Sequence, residues 1–144
     1  MARQPSAVPR AARWLGFAGL MPFVAAAGAG ILPGAQLHDL ALQALLTYGA
    51  VILSFLGGIR WGLAIAIADP AALSGPLCLS VLPAMLGWFA ILVPASTGLI
   101  VLALGFAAIL AADLRLAMAP AWYRTLRLPL SAGAIAALLV GLMV

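Results

Sequence analysis

An arginine set in the middle of a long apolar stretch is the residue of this chain best placed to do chemistry. The segment YGAVILSFLGGIRWG, residues 48–62, holds Arg60, Ser54 and four glycines in otherwise hydrocarbon-like sequence. A guanidinium at the centre of a bilayer costs roughly 2.5–3.5 kcal/mol on insertion scales. Arg60 therefore needs a route to the interface, an opposite charge, or a task. It can snorkel or bond backbone carbonyls near its helix end, pair with Asp113, or face a substrate or proton pathway. Asp113 is the acid at matching depth, provided that the helices carrying the two residues touch. Arg115 competes for Asp113, although residues two apart on a helix do not share a face.

Other reactive side chains are few. His38 and Cys78 are each the single residue of their type, the acids are Asp39, Asp69 and Asp113, and there is no glutamate. HExxH, GxSxG and P-loop motifs are missing, as is any pair of carboxylates on one helix. A lone histidine and a lone cysteine do not make a metal site. The expectation is a protein that is not an enzyme, with no catalytic residue, no cofactor and no metal.

The elements that position these residues follow from composition. Of 144 residues, 67% are apolar and 7% charged, against about 25% charged in a soluble domain. The mean hydropathy is +1.24, so lipid is the solvent for most of the surface. All seven basic residues are arginines. Their high pI reads as membrane orientation, not as nucleic-acid binding. Residues 1–13 (MARQPSAVPRAAR) are expected to be a disordered basic tail. The apolar run at 14–32 spans about 28 Å as a helix, enough to cross the hydrocarbon core. It is longer than the core of a cleaved signal peptide and further spans follow it, so a first membrane helix is expected.

Further spans are expected near 40–68, ending at Asp69-Pro70, near 77–93 with Pro83 inside, near 97–118, and from 128 to the end. That makes an all-α bundle of about five transmembrane helices in a single domain over 14–144, without a convincing internal repeat. With the N-terminus inside, Arg3, Arg10, Arg13, Arg115, Arg124 and Arg127 all fall on the inner side. Neither outer connection, at 33–39 or 94–97, carries an arginine, which is the positive-inside pattern.

Two sets of residues then take structural expectations. Thr47, Ala50, Ser54 and Gly58 recur at three- or four-residue spacing, and Gly62 continues them. Such small residues let helix backbones approach closely, and packing within the bundle is favoured over dimerisation. Arg60 lies well off that stripe. Trp122, Tyr123, Arg124 and Arg127, in the connection 119–130, have the composition of an interfacial anchor or lipid-headgroup contact.

The run Tyr48, Gly49, Phe55, Leu56, Gly57, Gly58, Arg60, Trp61, Gly62 resembles the strongest motif of a small multi-pass membrane family. The family has no assigned function, spans bacteria and mitochondria, and includes the animal mitochondrial transmembrane protein sixty-nine. SVLPAMLGW, Asp113 and Trp122, Tyr123, Leu126 and Arg127 of PAWYRTLRLPLS extend the similarity over nearly all of the chain after the tail. The resemblance implies a bacterial inner membrane, or the mitochondrial inner membrane, and brings no substrate. Membrane lipids are the expected partners, with another membrane protein as a further one, and no nucleic acid. The functional expectation is a non-enzymatic assembly or stabilising factor for another membrane component. The alternative is a small carrier or channel for an anionic or lipid-like solute.

Overall fold

The computed structural model describes residues 7–67, 72–115 and 121–144. Among these residues five helices follow one another: α1 Arg10–Ile31, α2 Ala35–Ile67, α3 Ser74–Leu92, α4 Ala95–Leu114 and α5 Ala121–Met143. Each is long and apolar enough to cross a membrane. The fold is an all-α bundle, as its composition requires: in lipid, helices satisfy every backbone group within themselves.

Short connections force neighbouring helices to run antiparallel. Between α1 and α2 the chain turns within three residues, where Leu32 N–H donates to Ala29 O at 3.2 Å and Gly34 adopts φ 131°. That backbone conformation favours glycine because other residues would clash through Cβ. The Gly34 carbonyl then accepts from His38 N–H at 3.0 Å, starting α2. Around the bundle each helix packs on its sequence neighbours, and α1 closes the circle by lying parallel to α5. α2 also packs against α4 and α5, so it touches all the other helices. Its length of 33 residues suits that central place, since a rise of about 1.5 Å per residue carries it past the others at its ends.

Packing relies on leucines seated over glycines. A Cβ at Gly105 would lie 2.8 Å from Leu53, at Gly133 2.6 Å from Leu20, and at Gly141 2.7 Å from Leu45. Where neither lipid nor neighbour offers a hydrophobic advantage, such close van der Waals fit is what holds helices together. Phe23 forms the centre: its ring meets Tyr48 edge-on at 5.0 Å and Phe106 at 5.9 Å, joining α1, α2 and α4. Tyr48 also donates its hydroxyl to the Gly19 carbonyl at 2.8 Å.

Three expectations change. α1 begins at Arg10, inside the stretch read as a tail, whose first six residues lie outside the described ones. α5 begins at Ala121, so most of the segment read as a connection at 119–130 is its first turns, and Pro129 sits within the helix. The expected packing stripe on α2 is displaced: Gly58 and Gly62 are exposed, with no atom within 4 Å of a Cβ built on them. The buried face is instead Leu46, Gly49, Ala50, Leu53, Leu56 and Gly57. Gly57 lies against the backbone carbonyl of Ser80 on α3. The difference is one residue, or about 100° of rotation. α2 turns both leucines and close-contact glycines inward, whereas the spacing of small residues alone traced a line beside them. Ser54, half-buried, donates to Ala50 O of its own helix at 2.8 Å. The Asp69-Pro70 stop lies outside the described residues.

Candidate functional site

The inward face of α2 ends in Arg60, seven residues before the helix does, and the inward face of α4 ends in Asp113. α2 and α4 run parallel, so these two positions reach the same depth. Arg60 Nη1 donates to Asp113 Oδ1 at 2.8 Å. The second carboxylate oxygen is taken from α5: Arg127 Nε donates to Oδ2 at 3.0 Å, and the Tyr123 hydroxyl approaches it at 3.4 Å. Asp113 is 2% exposed and Arg127 6%, so this is an interior cluster rather than a surface pair.

Asp113 needs these partners for two reasons. A carboxylate in a low-dielectric interior is costly unless paired and hydrogen-bonded. It also stands in the last turn of α4, where the helix dipole is itself negative. Two guanidiniums answer both. The arrangement fastens α2, α4 and α5 at one level. Arg115, the competing partner, is exposed, and both carboxylate oxygens are already occupied.

The four residues expected to anchor the chain at the interface divide. Tyr123 and Arg127 turn inward onto Asp113. The physical reason is the helical start of α5, which replaces an extended connection and puts residues 123 and 127 one above the other. Trp122 is half-buried and meets the Tyr123 ring edge-on at 6.2 Å; Arg124 is half-buried as well. Of the residues expected to pack, Gly58 and Gly62 lie away from the cluster. Sequence reasoning missed Arg127 as a second ligand of Asp113, and missed Ser131, which is 1% exposed. The available signal was spacing: Tyr123, Arg127 and Ser131 recur every four residues and lead into the buried Ala134 and Leu138.

Two clefts border the cluster. One, about 240 Å³, lies between α2, α3 and α4 beside Arg60. The other, about 190 Å³, lies between α1, α2 and α5 and is lined by Arg127 and Ser131 among apolar side chains. Among the described residues, neither the Nη2 of Arg127 nor the Oγ of Ser131 has a hydrogen-bond partner.

Residues 8–143 fit the family described as protein of unknown function, DUF3429. The chain belongs to the DUF3429 family. Transmembrane protein 69 of Xenopus tropicalis is 40% identical over 133 residues, covering 88% of this chain and 51% of the relative. Transmembrane protein 69 of Mus musculus is 32% identical over 124 residues, covering 83% and 50%. This DUF3429 chain thus spans about half the length of the curated relatives it matches. No solved structure matches it.

Proposed function

We propose that this membrane protein is a non-enzymatic assembly or stabilising factor for another component of the same membrane. The observation that carries the reading is the engagement of Asp113 by Arg60 and Arg127, which spends these buried charges on holding helices together. A guanidinium stays protonated in proteins, so the arginines offer no acid–base step. Broad apolar faces remain on the outside, including Trp14, Met21 and Val24 of α1 and Met85, Trp88 and Leu92 of α3. Such faces suit lipid and a membrane partner alike. A bacterial inner membrane, or a mitochondrial inner membrane, is the setting that the family resemblance suggests, and the gathering of arginines at one end of the bundle favours that end inside.

The test is purification of the intact protein from native membranes in mild detergent, with bound proteins and small molecules identified. A stoichiometric membrane-protein partner is the expected result. A sample free of other proteins but enriched in one solute, together with solute flux lost in Arg60→Leu while the partner's assembly is unchanged, would replace this reading by that of a carrier.

A further inference from the structure

We propose that the cleft between α1, α2 and α5 binds a lipid acyl chain ending in an oxyanion, held by Arg127 Nη2 and Ser131 Oγ. Both residues are more than nine-tenths buried and both line the cleft; among the described residues neither atom has a hydrogen-bond partner, and each has almost no surface open to the cleft, so the two side chains must turn toward it to meet a ligand. Burying a donor without an acceptor costs about 1–3 kcal/mol, more for a charged group. Two such donors one helical turn apart therefore mark a place where an acceptor is missing.

The chemistry of the walls narrows the occupant. Among the described residues of the lining, Arg127 and Ser131 carry the polar side chains; the rest are leucine, isoleucine, phenylalanine, alanine and glycine. The Gly19 carbonyl on the wall is already engaged by Tyr48. The ligand's polar part is thus an acceptor, and the rest of it is hydrocarbon. Charge gives the sign: Arg60 and Arg127 against Asp113 leave the cluster one positive charge in excess. An anionic oxygen neutralises it.

Position fits as well. Arg127 stands about 9 Å and Ser131 about 15 Å along α5 from its start, so the donors run from near the arginine-rich end to the middle of the helix. Phe23 and Leu20, further along α1, line the apolar part of the cleft. A chain entering past Leu15 and Phe55, which are 73% and 62% exposed, would point its methylenes toward Phe23 and its head toward Arg127. A volume near 190 Å³ is below the roughly 300–1,000 Å³ of a site that encloses a whole drug-sized ligand. It takes the head-proximal part of one chain, with the remainder in the bilayer. Carboxylate and phosphate share the chemistry, so a fatty acid and an anionic phospholipid are the two sources.

The site does not depend on the assembly role, and its test needs no partner protein. The full chain is placed in phosphatidylcholine vesicles with spin-labelled stearate, spin-labelled phosphatidylglycerol or spin-labelled phosphatidylcholine. The motionally restricted fraction is then read by electron paramagnetic resonance. Stearate, phosphatidylglycerol or both are expected to associate more strongly than phosphatidylcholine, and which one does so names the source. Ser131→Ala removes one donor without touching the ion cluster and should weaken that association about 3- to 10-fold. Ile52→Trp, which fills the cleft from α2, should abolish the preference while the protein still elutes as a single species. No preference for either anionic probe, or a preference that survives both substitutions, would mean that water serves the two donors, and would overturn the proposal.

Discussion

Asp113 bears one negative charge between two guanidiniums, so deleting it and deleting one of them are not equivalent. Asp113→Leu leaves Arg60 and Arg127 facing each other in a low-dielectric interior. We expect it to destabilise the protein by about 3–5 kcal/mol, the range for an orphaned buried charge. Arg60→Leu leaves a balanced Asp113–Arg127 pair and removes one charged hydrogen bond, for roughly 1.5–3 kcal/mol. The double change Arg60→Leu with Asp113→Leu strands Arg127 and should recover only part of the Asp113→Leu loss. Adding Arg127→Leu should recover most of the rest, because apolar replacement of a whole buried ion cluster is often neutral or stabilising. Thermal unfolding midpoints in one mild detergent order the four variants. A double variant as stable as the wild type would show that Arg127 is not part of the cluster. Tyr48→Phe removes the bond to Gly19 and should cost about 0.5–1.5 kcal/mol in the same assay.

At the scale of elements, α2 carries glycines with opposite duties. Gly57 abuts the carbonyl of Ser80 on α3, whereas Gly58 faces open space. A methyl group at 57 must push two backbones apart, and overpacking of that kind costs about 1–3 kcal/mol. At 58 the same change meets nothing and gains helix propensity, up to about 1 kcal/mol. Gly57→Ala should therefore lower the unfolding midpoint, and Gly58→Ala should leave it level or raise it. Equal effects would mean that the α2–α3 contact is looser than described. The start of α5 was not legible in AWYRTLRLPL because Pro129 removes a backbone donor and two arginines break the apolar run. Local composition reads as a connection there. What outweighs it is tertiary: Arg127 and Tyr123 engage Asp113 from another helix, and that anchoring holds the first turns in helical form.

For the whole molecule, antiparallel order brings the start of α1, the ends of α2 and α4 and the starts of α3 and α5 to one end. Arg10, Arg13, Arg60, Arg115, Arg124 and Arg127 all lie toward it, and Asp39 lies toward the other. With Cys78 first changed to serine, a cysteine at Pro33 should react with an impermeant thiol reagent added to intact spheroplasts. A cysteine at Ser74 should react only after the membrane is opened. The reverse result would invert the bundle in the membrane.

Hydropathy and charge placement alone determined that this chain makes five membrane helices, because lipid demands long apolar runs and leaves few alternatives. The possible Arg60–Asp113 pair was also within reach, since the two depths could be counted from helix ends. Helix rotation was not. A shift of one residue, invisible to hydropathy when nearly every face is apolar, decides whether Gly57 or Gly58 meets a neighbour. Only tertiary packing set that rotation, brought Arg127 to the far side of Asp113, and buried its outer nitrogen and the Ser131 hydroxyl beside a cleft without a partner among the described residues. Those contacts join residues from separate helices, and no local signal encodes which helix will stand opposite.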